Sequence, residues 1–493
     1  MISRLLPALA LALTVPAVAP VAAAADGSGW HWTSHAVAPG LEVRTGVLSR
    51  PTAPYWTVTI GAPTTNVLTG AAAVAELGTA AWARDTAARL SAAGYPARQD
   101  TIGWPAFSDT PHGPEGVRVR TGSYGSQAEA QAAVAAIKAA GFPTAAAEWT
   151  GYDADQAPDA EQVHVAVIDP RRYDVEATHD GAVAQRKKTS EVAGALVAVN
   201  GGFFVTSDAD GYQGVPSGLA AYDGRVESLS AGNRAALVLG PGGPRIVDAT
   251  SRVTVRSGRD SHAIEGVNRK PGVIRDCGRP DAQPTTAPRQ DFTCTSTDEI
   301  VAFTPEFGAA LPTGPGVQVT LDAHGATVGP RGGSVPAGSV VLQGIGASAG
   351  WLASHDRLSV EGLRLPAGES IASAAPTLLR HGHLSIDAAT EGVVDPRDLS
   401  FGYAWSEQRQ PRTLAGIDAS GHLLLVTVDG RQPGVSEGFT LEEAARFLRS
   451  LGATEAMNLD GGGSTTMAVR GVLVNHPSDA TGERAVGDFV TVR

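Results

Sequence analysis

The sequence predicts an α+β protein in two parts: a small unit of two βαβ repeats, then a larger domain of mixed β-sheet with few helices. Three observations lead there. Between Tyr55 and about Thr150 one strand–helix–strand pattern occurs twice. A polar, acidic stretch at 151–160 follows it. Beyond that stretch come many short apolar runs and only two helical ones, the distribution of an α+β domain.

With 493 residues the chain exceeds one ordinary domain and can bury more than one core. Its 18% charged and 43% hydrophobic residues are those of a folded protein. The net charge of −12 argues against a nucleic-acid partner, for which a basic stripe is expected. An anionic substrate stays open, because a small site can be locally positive in an acidic protein.

Residues 1–25 read as an export signal: Arg4, the apolar run Leu5 to Val21, and four alanines before Asp26. Pro16, Pro20 and the lack of basic residues behind the run disfavour an anchor, so a secreted or wall-associated chain with no membrane partner after cleavage is expected. Residues 26–54 show no sustained period and read as an irregular lead-in with one strand, Leu41 to Val47.

The first repeat runs from strand Tyr55–Ile60 through helix Ala81–Ala93 and Gly94-Tyr95-Pro96 to strand Ala97–Ile102. The second runs from strand Val117–Arg120 through helix Gln127–Ala140 and Gly141-Phe142-Pro143 to strand Thr144–Trp149. Glycine then aromatic then proline is how a helix should end. Ser126 fits an N-cap, with Glu129 placed to complete a capping box. Two such units predict a ferredoxin-like sandwich. Residues 151–160 are expected to be a linker.

In the larger part, from 161 to 493, strands are expected at Gln162–Ile168, Ala195–Val199, Ala235–Leu239, Val317–Leu321, Ser339–Leu342 and Leu423–Val428. The helices are Thr189–Ala193 and Leu441–Leu451. The latter starts at Thr440 with Glu443 at the capping-box position, and Leu441, Ala444, Ala445, Leu448 and Leu451 share one face. Cys277 and Cys294 bracket a polar, proline-containing segment in an exported chain, which predicts a disulfide; a loop of about 15 residues would stabilise by about 3 kcal/mol.

The chemistry concentrates in Asp460-Gly461-Gly462-Gly463-Ser464-Thr465-Thr466, a carboxylate before three glycines and three hydroxyls. Glycines let a backbone approach a ligand closely, and successive N–H groups can cradle an anion. Two further runs are Asn200-Gly201-Gly202-Phe203-Phe204 at a strand end, and Arg412-Thr413-Leu414-Ala415-Gly416-Ile417-Asp418 followed by Asp429-Gly430-Arg431. No metal motif, P-loop or GxSxG elbow is present, so neither cofactor nor metal is expected.

Taken in this order, the runs resemble the phosphodiester glycosidase family, the domain type of the lysosomal mannose 6-phosphate uncovering enzyme, over residues 160–493. Val117-Arg118-Val119-Arg120-Thr121-Gly122-Ser123-Tyr124, before Gln127-Ala128-Glu129-Ala130, resembles SPOR domains, which implies peptidoglycan as a partner of residues 55–150. The glycosidase resemblance implies hydrolysis of a sugar 1-phosphodiester of the N-acetylglucosamine-1-phosphodiester type. Asp460 would activate water or stabilise the cationic transition state, Arg412 would clamp the phosphate, and Asn200 would orient the sugar. Gly201, Phe203, Thr413, Asp429, Gly461, Gly462, Gly463, Ser464 and Thr465 would line the substrate. Two alternatives stay open: a non-catalytic wall carbohydrate binder, and a phosphodiesterase cutting P–O bonds of teichoic-acid-like polymers. Because every glycosidase motif lies beyond residue 160, that part is expected to work without residues 55–150.

Overall fold

The computed structural model describes residues 29–50 and 52–493. The expected export signal lies outside the described residues. At the centre of the larger domain is an eight-stranded sheet in the order Trp30–Ala38, Leu41–Ser49, Ala160–Ile168, Leu423–Val428, Arg412–Asp418, Ala453–Asn458, Thr377–Arg380 and His383–Leu384. Leu423–Val428 is buried along its whole length, which is why it reads as an apolar run interrupted only by Thr427. The helix Leu441–Ser450 packs on this sheet through Leu441, Ala444, Ala445, Phe447 and Leu448, and the Thr440/Glu443 capping box forms as expected.

A second sheet of five strands has the order Val175–Thr178, Phe489–Val492, Val197–Asn200, Met467–Val469 and Val472–Leu473. The chain passes from the first sheet at Asn458 to the second at Met467, so the run 459–466 spans the junction between them. Val197–Asn200 ends at the same junction.

The expected domain of many strands and few helices is present, but its sheets are scarcely mixed. Among the described residues the one parallel strand pair is Gly266–Val267 with Glu299–Phe303. Several neighbours are joined by tight hairpins such as Asp418 to Leu423, which permit only antiparallel pairing.

Residues 29–50 are more regular than the sequence suggests. Trp30–Ala38 and Leu41–Ser49 form a hairpin on the edge of the eight-stranded sheet. Trp30 and Trp32 pack against Phe439 and Phe447 there. That segment lacks apolar alternation because its ordering comes from these distant rings.

In the N-terminal module the strands Ala145–Trp149, Trp56–Ile60, Pro114–Tyr124 and Ala97–Gly103 lie in that order, all antiparallel. Helices Ala80–Ala92 and Gln127–Ala139 bury Ala83, Leu90, Val134 and Ile137 with Val58, Ile60 and Val119 of the sheet. Ser126 caps the second helix, but Glu129 accepts from the Gly125 N–H rather than closing the box on Ser126.

The opposite face of this sheet is not open. Arg118 and Arg120, both fully buried, converge on Asp153, and Arg120 also reaches Glu148 at 3.0 Å. Asp153 lies in the stretch expected to be a linker. It is buried because two guanidiniums need a counter-charge once removed from water. Arg409 of the larger domain donates to the carbonyls of Gly151, Asp153 and Gln156, so 151–160 is a packed joint.

Candidate active site

The run 459–466 is fixed by backbone bonds to two other segments, the Pro411–Thr413 run and the turn at Gly201. Leu459 N–H donates to the Thr413 carbonyl at 2.8 Å, Asp460 N–H to Gly201 at 3.0 Å and Gly462 N–H to Pro411 at 2.9 Å. Gly462 has φ +59°, a conformation that favours glycine. A Cβ on Gly462 would press on the Arg431 guanidinium, and one on Gly463 would overlap Arg484 and Asp479. The glycines therefore seat two arginines against the loop. The Gly461 and Gly462 amides expected to hold phosphate are already used, by the Asp460 carboxylate and by Pro411.

Asp460 faces a cavity of about 800 Å³ also lined by Phe203, Ser217, Tyr403, Trp405, Gly461, Gly462 and Gly463. Burial pushes its carboxyl up to about 7, against the opposing pull of Ser464, Arg484 and the Gly461 N–H. The cations on this cavity are Arg186, Arg275, Arg431 and Arg484, and its other acidic groups are Glu76, Asp276 and Asp291. Arg484 is paired bidentately with Asp479 at 2.8 and 3.0 Å. Arg431 is held at Nε by Gln410 at 2.6 Å, and among the described residues no carboxylate lies within 4.0 Å of it. Burial and the neighbouring Arg484 charge both favour loss of its proton, the arrangement of a guanidinium ready for an anion.

Several residues expected in the site instead support it. Asn200 is fully buried: its Nδ2 donates to the Asp460 carbonyl at 2.7 Å, while its Oδ1 accepts from Thr413 Oγ1 and Thr466 N–H at 2.6 and 3.0 Å. The strand end turns both it and Thr413 away from the cavity. Arg412 is also fully buried. It donates to the carbonyls of Phe439 and Trp405 and lies over the Trp405 ring at 4.8 Å. Burial lowers it to about 9, and it does not reach the cavity wall.

Asp429 accepts from Asn475 Nδ2 and from the His476 N–H, and so fixes the approach to 476–484 rather than a substrate. Ser464 and Thr465 are buried and form no part of the cavity wall. Gly201 is likewise behind the wall, its N–H bonded to the Asp488 carbonyl.

Phe203 does line the cavity, edge-on to Trp405 at 6.0 Å. The disulfide Cys277–Cys294 is present and staples the hairpin Val273–Cys277/Pro288–Thr295, which brings Arg275, Asp276, Gln290 and Asp291 to the cavity. Asp276 accepts from Ser217 Oγ and Arg234 Nη1 at 2.8 and 2.7 Å.

Sequence reading missed Arg431, although it named the turn containing it, along with Arg484, Asp276, Trp405 and Asp488. The last anchors the Asn-Gly-Gly turn, its carboxylate accepting from Gly202 N–H and from the Tyr222 hydroxyl at 2.8 Å each. Arg484, Asp276, Trp405 and Asp488 sit in no dense motif; Arg431 closes the Asp429-Gly430-Arg431 turn, in which the aspartate and not the arginine was read as the site residue.

The phosphodiester glycosidase family profile matches residues 319–493, and the SPOR domain profile matches residues 73–147. A crystal structure of a Burkholderia pseudomallei protein described as exported is 30% identical, with a TM-score of 0.78, over 97% of this chain and 100% of that one. N-acetylglucosamine-1-phosphodiester alpha-N-acetylglucosaminidase of Mus musculus is 34% identical over 103 residues, 21% of this chain and 20% of that enzyme. The same enzyme of Bos taurus is 44% identical over 68 residues, 14% of this chain and 12% of that enzyme. The matched segments thus span a fifth or less of these two relatives.

Proposed function

We propose, from the match of residues 319–493 to the phosphodiester glycosidase family and of residues 73–147 to SPOR domains, that the chain is a hydrolase of sugar 1-phosphodiesters in cell-wall or extracellular glycans. The sugar is of the N-acetylglucosamine type, the substrate of the named relatives. The observation that carries the reading is Asp460: a carboxyl raised to about 7, beside a loop on which Arg431 and Arg484 are seated, in a cavity large enough for a sugar phosphodiester.

In this reading the two guanidiniums neutralise the phosphate and hold it as the leaving group. A phosphate monoester leaves readily, so strong acid assistance is not required. Deprotonated Asp460 takes a proton from water, whose oxygen attacks C1 as the C1–O bond breaks and the electron pair departs with the phosphate. Phe203 and Trp405 offer apolar faces to the sugar ring. The Asp276 carboxylate, paired with Arg234, lines the same cavity, where a cationic transition state would benefit.

The N-terminal module supplies peptidoglycan affinity, consistent with an exported, wall-associated location. Its antiparallel strand order, with both helices on one face, supports the ferredoxin-like reading. Any glycan must use a surface other than the face holding Arg118 and Arg120, which is buried.

Hydrolysis of a methyl N-acetylglucosamine-1-phosphodiester in ¹⁸O-water tests the reaction. Label in the free sugar supports C–O cleavage, label in the phosphate moves the assignment to a P–O cleaving phosphodiesterase, and binding without turnover makes the protein a carbohydrate binder.

A further inference from the structure

One wall of the cavity does not come from the glycosidase domain. Val74, Ala75 and Glu76 line it, and they belong to the N-terminal module. Val74 and Ala75 end the hairpin Ala62–Thr65/Ala72–Ala75, and Glu76 follows it, just before Leu77–Gly78 joins the module's sheet. Glu76 is fixed from both sides of the joint. Its carboxylate accepts from Gln408 Nε2 at 3.0 and 3.2 Å, and from Arg120 Nη2 at 3.4 Å. Gln408 follows the short helix Tyr403–Ser406, whose Tyr403 and Trp405 line the same cavity. The Glu76 side chain is 12% exposed and lines the cavity.

Arg431 and Arg484 lie on the glycine loop, where a phosphate gains most. A carboxyl is a poor neighbour for phosphate and a good partner for hydroxyls, which can donate to it. Glu76 lies by the aromatic Tyr403–Trp405 stretch, where the ring of a sugar would pack. Burial and the nearby Glu148 hold its proton more tightly than usual, so the carboxyl can donate as well as accept.

We propose that the active site is composite, with Glu76 of the N-terminal module a specificity-determining residue that hydrogen-bonds hydroxyls of the bound sugar. This rests on the sugar-phosphodiester reading given above. The module then has a role at the site that is separate from any affinity for peptidoglycan: it closes the sugar side of the cavity and selects what enters.

The test uses the full chain with Glu76→Gln and Glu76→Ala. Each is assayed on methyl phosphodiesters of N-acetylglucosamine 1-phosphate and of glucose 1-phosphate, with thermal unfolding in parallel. Glu76→Ala is expected to raise KM on the order of tenfold, as for a lost hydrogen bond to a charged or buried group, and to change the ratio of kcat/KM between the two sugars. Glu76→Gln, which keeps shape and can still donate, is expected to fall between Glu76→Ala and wild type. A fall in unfolding temperature with KM and the sugar ratio unchanged in both variants makes Glu76 a joint residue only and overturns the proposal. Unchanged kinetics and stability overturn it equally. Failure of the wild type to turn over either diester overturns the functional reading and, with it, the role given to Glu76.

Discussion

The Asn200 side-chain amide donates to the backbone carbonyl of Asp460 at 2.7 Å. The Asp460 N–H in turn donates to Gly201, so the end of one sheet holds the loop leaving the other. The two most conspicuous motifs of the sequence are therefore one structural unit, in which Asp460 faces the cavity and Asn200 faces the interior. Asn200→Ala strands the Thr413 hydroxyl, the Thr466 N–H and the Asp460 carbonyl in a buried place, at about 1–3 kcal/mol for each unsatisfied group. Unfolding temperature and kcat are expected to fall together; a stable variant with only KM raised would place Asn200 on the substrate after all.

Arg412 and Arg431 are expected to part company. Arg412 binds backbone carbonyls and no carboxylate among the described residues, so Arg412→Lys should lower stability by roughly 1–3 kcal/mol through lost hydrogen bonds. Arg431 lines the cavity. Arg431→Gln should leave the unfolding temperature near wild type and raise KM for a phosphodiester on the order of tenfold. The reverse pattern would return the phosphate clamp to Arg412.

The Asp460 carboxyl sets a pH dependence of known sign. Its value of about 7 in the folded protein lies above the ordinary carboxylate range, so the folded state binds this proton more tightly than the unfolded chain. That contribution to stability is lost as pH rises from the ordinary range, ~4, to about 7, and is level above it. Asp460→Asn should therefore gain unfolding temperature over wild type as pH rises through that window. Wild-type kcat/KM should rise through about pH 7, as a general base requires. A flat difference in unfolding temperature across the window would contradict the burial of this charge.

The disulfide should matter for the site as well as for stability. The hairpin it staples carries Arg275, Asp276, Gln290 and Asp291 to the cavity, and the two cysteines are separated by 17 residues. Replacing both by alanine is expected to lower stability by about 3 kcal/mol and to raise KM. Lost stability with unchanged KM would show that the hairpin keeps its place without the bond.

What could be read from the sequence was what is encoded locally. The Thr440 capping box, the apolar face of Leu441–Ser450, the glycine ends of the module's helices and the run Leu423–Val428 depend on neighbours within a few positions. The site motifs were equally visible, since glycines beside a carboxylate are unusual. Which way each side chain points was not visible, because Asn200 and Arg412 turn inward for reasons set by the junction of two sheets. Arg484 and Asp276 come from loops with little pattern of their own. Glu76 meets Gln408 across 332 residues of chain, and the charge holding Asp153 in the joint comes from Arg118 and Arg120 on another strand. The expectation that residues 160–493 work alone was drawn from motif positions, which carry no sign of a contact made by residues 74–76.

The central claim is that Asp460 serves a sugar-phosphodiester hydrolase. It is tested most directly by measuring free N-acetylglucosamine released from a methyl N-acetylglucosamine-1-phosphodiester by the wild-type protein and by Asp460→Asn, with unfolding temperatures recorded alongside. The account predicts steady release by the wild type and its loss in a variant that is folded and at least as stable near neutral pH. No release by the wild type, or a folded Asp460→Asn that keeps more than half of the wild-type rate, would contradict it.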